Sequence, residues 1–472
     1  MAHLKSHVLP AQGSIREMVA ISLPMVVSHA CYTVMTFTDR IFLSRLGPEV
    51  MSAAMAGGLT AFMMMTFFVG LTGYATALVA QYLGAGYKQK CAVTITQSLI
   101  IAVIAWPVIV WCRPLAYRLF DMVGINPVQL IHQKIYFDIL VAAVIVGLLR
   151  HVFSSFFSGI GKTKIVMISS FVAMVVNIVA NYILIFGKLG VPALGIRGAA
   201  YGTVIGLFCG CIVLVGTYFN SSNRKEYGIT GSFRFDRNVM GTLVRFGYPA
   251  GVEMFLNLVA FDVMVMIFHS VSLIAATAST IMFNWDMVSF VPLLGVEIGT
   301  TSLVGRYMGA SSPDTAHRAA MSGFKMGCVY SAVVFIFFVG FPGLLVDVFQ
   351  PAGADPVFLA ARSTAIFMIR LASVYVLVES MFVVFTGALR GAGDTFWAMC
   401  LSVTLHWILV PAQFVMLKVY RLPLETGWSV LVAIFLFFSV FVYFRYRSGH
   451  WRTIKVVEEP VSVIETAIDG EY

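Results

Sequence analysis

The chain alternates long apolar stretches with short polar ones. Twelve of the stretches reach the roughly 20 residues that carry a helix across a bilayer. Their approximate spans are 17–43, 51–82, 91–111, 131–153, 165–186, 196–219, 239–268, 271–304, 319–341, 358–386, 396–419 and 427–446. They lack the ten-residue alternation of a membrane barrel. A backbone in lipid must satisfy its own hydrogen bonds, so each stretch predicts a helix. Segments two, eight and ten are longer than crossing requires, which predicts tilt, kinks or extension beyond the bilayer. The most polar internal stretch, NSSNRKEYGITGSFRFDRN at 220–238, falls between segments six and seven. The expected organisation is a tail (1–16), a six-helix lobe (17–219), a linker (220–238), a second six-helix lobe (239–446) and a tail (447–472). That last tail carries Glu458, Glu459, Glu465, Asp469 and Glu471 and is expected to be poorly ordered.

Three features recur in both halves. TALVAQYLGA at 76–85 matches TSLVGRYMGA at 301–310 in six of ten positions, at an offset of 225. Pro24 and Pro249 share that offset, and GIGKT at 159–163 matches GAGDT at 391–395 in pattern. Six is an even number, so both halves insert with the same orientation. They are parallel repeats about an axis along the membrane normal, and two such bundles enclose a central cavity whose rocking gives alternating access. The expected fold is an all-α membrane protein of twelve transmembrane helices in two parallel six-helix pseudo-repeats.

Composition supports the lipid environment. Of 472 residues, 59% are hydrophobic and 11% charged, with mean hydropathy +0.90; soluble domains carry about 25% charged residues. The net charge of +9 would raise nucleic acid as a partner in a soluble protein; here it reflects loop charges, and no nucleic-acid partner is expected. Lys and Arg, with Arg150 and Arg390 counted among the loop residues, favour the side of the two termini by about two to one, which places both termini in the cytoplasm. The seven cysteines sit in or beside apolar runs without a CxxC pair and read as packing residues. No cleaved signal peptide is expected. GIGKT resembles the end of a phosphate-binding loop, but Phe156 stands where that motif needs glycine and no strand precedes it. No metal-ligand spacing, nucleophile elbow or large extramembrane domain points to an enzyme.

Ionisable groups inside a membrane helix cost roughly 2.5–3.5 kcal/mol each on insertion scales and stay only with a partner, a cavity or a function. Asp39 in TFTDRIF reads either as an interfacial ion pair with Arg40 or Arg45 or as a titrating carboxylate on the cavity. Glu253 and Asn257 share a face of segment seven, and Asp262 follows five residues later. Tyr375 and Glu379, four apart on segment ten, present two hard oxygens suited to a cation, although Arg370 could neutralise Glu379 instead. Asn177 and Asn181 form a further pair on segment five, as helix glue or as substrate contacts. Glu297, in GVEIGTTS, has no clear assignment. Arg370 is the one basic residue read as mid-segment.

The proline of segment one followed by TDRIFLSRLG, then VAQYLGAG, FFSGIGKTK, VVNIVANYILIFGKLGVPALGIRGAA, RFGYPAGVEMF, SLVGRYMGA and FTGALRGAGDT resemble the multidrug and toxic compound extrusion (MATE) family over about residues 15–445. The resemblance implies a cation-coupled antiporter in the plasma (inner) membrane. It would export organic cations, drugs or metabolites against Na⁺ or H⁺, with no cofactor beyond the coupling ion, lipids as surroundings and a monomeric state. Asp39 matches the family's segment-one acid. Glu379 and Tyr375 match a cation-binding aspartate and its tyrosine in one subgroup, and Asn177 and Asn181 match that subgroup's polar pair. The subgroup's segment-seven glutamate falls at Asn257, with Glu253 one turn earlier, and Asp262 matches a second acid found in some members. The implied Na⁺ ligands are Glu379, Tyr375 and Glu253. A flippase of lipid-linked oligosaccharides is the alternative, which Arg370 as the sole mid-segment base disfavours.

Overall fold

The computed structural model describes residues 11–122, 126–350 and 356–457. Among them there are helices and no strands. The final acidic stretch and most of the first tail lie outside the described residues.

The first half contains α1 (Ile15–Ser44), α2 (Pro48–Gly73), α3 (Ala75–Gly84), α4 (Lys88–Trp111), α5 (Arg113–Met122), α6 (Pro127–Ala142), α7 (Val144–Gly159), α8 (Thr163–Phe186) and α9 (Ile196–Tyr218). The polar linker folds into the short α10 (Ser221–Tyr227) and a 3₁₀ turn at Ile229–Gly231. The second half contains α11 (Arg237–His269), α12 (Leu273–Gly309), α13 (Pro313–Gly340), α14 (Pro342–Asp347), α15 (Pro356–Ala392), α16 (Thr395–Phe414) and α17 (Leu424–Arg447). Eleven of these helical spans are long and apolar enough to cross a membrane, and α6 with α7 makes a twelfth if the bent pair is one span.

The ends of the helices follow from local chemistry. Ser14 caps α1 by accepting from the Glu17 amide, Ser272 caps α12, and Asp236 caps α11 through two backbone amides. The predicted excess length appears as a break at Tyr74 between α2 and α3 and as 37-residue helices α12 and α15. At about 1.5 Å per residue these reach about 55 Å, well beyond a 30 Å hydrocarbon core. The fourth span bends by 47° at Ala143. Trp106 explains it: the indole Nε1 donates to the Ala142 carbonyl at 3.0 Å, and a side chain inserted into the backbone ladder kinks a helix. After Pro411 the last turns of α16 widen into a π-helix over Val415–Val419, as a missing donor and a displaced carbonyl require.

The duplication is visible in the packing. A Cβ on Gly84 would stand 1.9 Å from the Arg306 carbonyl oxygen, and one on Gly309 would stand 2.0 Å from that of Gln81. Gly309 and Arg306 are the 225-offset partners of Gly84 and Gln81, so the two contacts exchange under the pseudo-twofold. The same holds for Gly70 against Gly251 and Gly295 against Val26. Gly86 (φ +87°) is matched by Ser311, which takes φ +52° despite its side chain. Gly161 and Gly393 turn the chain at φ +77° and +98°, which accounts for the repeated GxGxT.

These approaches define where the lobes meet. α1 crosses α12 at Ser22–Gly299 and Val26–Gly295, while α2 crosses α11 at Phe67–Gly251 and Leu71–Gly247. All lie toward the end of the bundle that bears the first residues of α1. Among the described residues, every hydrogen bond between the lobes lies there too. Gln81 donates to the Gly391 carbonyl at 2.8 Å, Ser302 to that of Ser158 at 2.7 Å and Tyr307 to Glu17 at 2.7 Å. The lobes are closed at this end and, among the described residues, carry no such bonds at the other.

Candidate functional site

Three polar clusters lie inside the bundle. In the first lobe, α1 supplies Asp39, α8 supplies Asn177 and Asn181, and α9 supplies Thr203. Asn181 Nδ2 donates to Asp39 Oδ1 in a very short contact. Thr203 donates to Asp39 Oδ2 at 3.4 Å, and Asn177 Nδ2 donates to Thr203 at 3.4 Å. Gly198, Gly202, Gly206 and Gly210 recur every four residues along α9 and let α8 approach closely. A Cβ at Gly202 would fall 1.9 Å from Asn181 Oδ1. The carbonyl oxygens of Asn177 and Asn181 are buried without a partner, so the cluster holds unused acceptors beside a carboxylate. Asp39 forms no ion pair with Arg40 or Arg45 among the described residues.

In the second lobe, α12 supplies Asp286 and α15 supplies Tyr375 and Glu379. The Tyr375 hydroxyl donates to Asp286, and Asp286 lies close enough to Glu379 for their charges to interact. Glu379 is buried, and its Oε2 has no hydrogen-bond partner. Phe435 and Trp428 pack on the Tyr375 ring at 5.5 and 6.4 Å, fixing the phenol. The cluster therefore brings two carboxylates and a phenol together. Arg370, expected as a neutralising partner of Glu379, is exposed and has no ion pair among the described residues.

The third cluster corrects the expected ion site. Glu253 does not join Tyr375 and Glu379. Its Oε2 binds Arg390 Nη2 at 3.1 Å, while Arg390 Nη1 binds Glu297 Oε1 at 2.5 Å. Arg390 lies eleven residues beyond Glu379, about three turns along α15, next to the Gly391 carbonyl that bonds Gln81. Glu253 and Glu297 are thus the two arms of a carboxylate–guanidinium–carboxylate triad behind the closed end. Asn257, one turn on, donates to Ser402 at 2.7 Å. Asp262 is half-buried and makes no hydrogen bond among the described residues. Among the described residues no three His, Cys, Asp or Glu side chains are grouped to hold a metal ion.

A family model described as MatE matches residues 24–183 and 249–415. The chain belongs to the MatE family. The two matched stretches begin at Pro24 and Pro249, the repeat pair read from the sequence. The probable multidrug resistance protein NorM of Thermotoga maritima is 25% identical over 92% of this chain and 93% of its own. The multidrug resistance protein MdtK of Yersinia enterocolitica is 26% identical, over 84% and 85%. Among solved structures, a multidrug resistance MATE family transporter in its outward-facing conformation superposes with a TM-score of 0.82 at 20% identity, covering 92% of this chain and 95% of that one. This last likeness concerns the fold, a two-lobe MATE architecture.

Within that MATE fold, two charged residues inside the lobes are not among the candidates read from the sequence. Asp286 sits in FNWDMVS, inside apolar segment eight, and the rule that singled out Asp262 applies equally to it. Arg150 was counted with the loop charges, but α7 runs on to Gly159 and places it inside the first lobe.

Proposed function

We propose that this MATE protein is an antiporter that exports small organic, chiefly cationic, compounds in exchange for Na⁺ or H⁺. It would work in the plasma membrane with both termini cytoplasmic. The observation that carries the reading is a buried carboxylate cluster without a basic partner in each lobe, with the lobes hydrogen-bonded to one another, among the described residues, at one end. With the termini inside, the closed end is cytoplasmic, which would make this an outward-facing arrangement.

The chemistry follows from the second lobe. Two carboxylates close enough to interact in a poorly solvated site repel one another unless a monovalent cation neutralises one of them. A proton or a sodium ion beside the Tyr375 oxygen meets that need at Asp286 and Glu379. The Asp39 cluster in the first lobe offers a carboxylate and two free amide oxygens to a substrate cation. Exchange arises because the ion and the substrate stabilise different arrangements of the lobes, and a ligand shifts an equilibrium only through such a difference. Glu253 and Glu297 hold Arg390 and brace the closed end. No catalytic residue is assigned, because the reaction is displacement across a membrane.

Efflux of a fluorescent organic cation from cells tests the site assignment. Glu379→Gln and Asp286→Asn should each abolish ion-driven efflux, and Asp39→Asn should weaken it. Full efflux in all three variants at wild-type expression would show that the coupling groups lie elsewhere.

A further inference from the structure

A basic group in the first lobe has no role in the exchange just described. Arg150 lies on α7, nine residues before its end at Gly159, about 13 Å in from the closed end and so near mid-membrane. Its Nη2 donates to Ser170 Oγ at 2.6 Å, and Ser170 shares a 2.5 Å hydrogen bond with Ser28 Oγ. Arg150 Nε is buried with no partner. No carboxylate forms an ion pair with Arg150 among the described residues. His29 and His151 lie close enough to feel its charge, and the Nε2 of each is buried without a partner. Gly210 makes the room, since a Cβ there would stand 3.3 Å from Arg150 Nε. Tyr32, one turn along α1 from Ser28, is 51% exposed and lies close enough to Arg150 for their charges to interact.

A guanidinium held in a membrane protein's interior ordinarily carries its counter-ion with it. Here the groups around it are the hydroxyls of Ser28 and Ser170, the imidazoles of His29 and His151, the Tyr32 phenol and the thiols of Cys31 and Cys211, and no carboxylate is among them. The planar fork of arginine matches a carboxylate with two parallel donors; Nε is buried without a partner and, among the described residues, Nη2 to Ser170 is the hydrogen bond the guanidinium makes.

We propose that Arg150, with Ser28, Ser170, His29 and His151, forms a binding subsite for the carboxylate of an organic substrate. Asp39 lies eleven residues beyond Ser28 on the same helix, about 16 Å farther from the closed end. The lobe thus offers a basic group at depth and an acidic one above it. That polarity fits an amphoteric amphiphile, carboxylate inward and cationic nitrogen outward. The assignment rests on the reading that this lobe receives the transported compound, and it narrows the class of that compound.

The test is equilibrium binding to purified full-length protein in nanodiscs, followed by fluorescence anisotropy without any ion gradient. Rhodamine 110 and rhodamine 123 are matched probes, a free carboxylic acid and its methyl ester on one xanthene cation. Wild-type protein should prefer the acid. Arg150→Gln should weaken the acid by on the order of 10- to 100-fold, the range of a charge-assisted hydrogen bond, and leave the ester unchanged. Arg150→Lys should keep part of the preference. Ser170→Ala, a milder change, should reduce it in a protein whose fold is secure even if Arg150→Gln does not assemble. A role confined to helix packing would move both dyes together, and that result would overturn the proposal. So would a wild-type protein with no preference for the acid, or one that binds neither dye. Replacing gluconate with chloride should leave acid binding intact; competition by chloride at tens of millimolar would reassign the site to inorganic anions. A protein that passes these tests but shows no ion-driven efflux would keep the subsite and lose the antiport.

Discussion

Gly84→Ala should prop open the end of the molecule at which the two lobes meet. The new Cβ would stand 1.9 Å from the Arg306 carbonyl oxygen, 2.8 Å from its carbon and 3.0 Å from the Ala310 nitrogen. A carbon and a carbonyl oxygen approach to about 3.3 Å, so the two backbones must part by about 1.4 Å at this crossing. The obstacle is backbone on a packed helix, which no rotamer change relieves. Overpacking of this kind costs about 1–3 kcal/mol. Only the arrangement closed at this end suffers the clash, so the whole cost bears on the equilibrium between closed and open ends. A shift of about 1–3 kcal/mol changes that ratio by about 5- to 150-fold. Gly309→Ala, its pseudo-symmetric counterpart, should act alike because its Cβ would lie 2.0 Å from the Gln81 oxygen. Spin labels carried on unnatural amino acids at Gln89 and Asp314, in the first turns of α4 and α13, report the distance between the lobes at this end. Both substitutions should enrich the longer-distance population in double electron–electron resonance. A wild-type distance distribution in Gly84→Ala would refute the reasoning, since the close crossing would then not govern closure.

Further outcomes follow from the same contacts. Tyr307→Phe removes the 2.7 Å hydrogen bond to Glu17 between the lobes. A bond to a charged group is worth about 1.5–3 kcal/mol, and the label distance should lengthen without loss of thermal stability. Gly202→Ala places a Cβ 1.9 Å from Asn181 Oδ1. It should lower the melting temperature by the equivalent of about 1–3 kcal/mol and weaken substrate binding, both measured on purified protein. Arg390→Ala leaves Glu253 and Glu297 facing one another without their shared cation; breaking a buried pair costs about 3–5 kcal/mol, so expression and thermal stability should fall sharply. Arg390→Ala combined with Glu253→Gln and Glu297→Gln should recover much of that loss in the same melts.

The sequence made the architecture legible and the charge partners only partly so. Twelve apolar stretches appear as spans because lipid leaves the backbone no other choice. The 225-residue offset reappears in three dimensions as exchanged glycine contacts, since a small residue is needed wherever two helices cross closely. Asp39, Asn177 and Asn181 come together because short spacing on α8 and one crossing with α1 suffice. Glu253 could not be placed the same way. Its partner Arg390 lies 137 residues away, and only the packing of α11 against the rest of its lobe decides between Arg390 and Glu379. Arg150 was misplaced for a different reason. The apolar stretch ends at 153, three residues past Arg150, which sets the guanidinium at a span end, whereas the backbone of α7 continues another two turns through SSFFSG. Asp286 was within reach of the reasoning, as an acid in an apolar segment, but its meeting with Tyr375 depends on tertiary packing.

The central claim is ion-driven exchange, with a carboxylate cluster in each lobe. Proteoliposomes loaded with a fluorescent organic cation, under Na⁺ and H⁺ gradients imposed separately, test it most directly. Efflux should follow at least one gradient, collapse when that gradient is dissipated, and be absent in Asp39→Asn combined with Glu379→Gln. Efflux indifferent to both gradients, or gradient-driven efflux that survives in the double variant, would contradict the account.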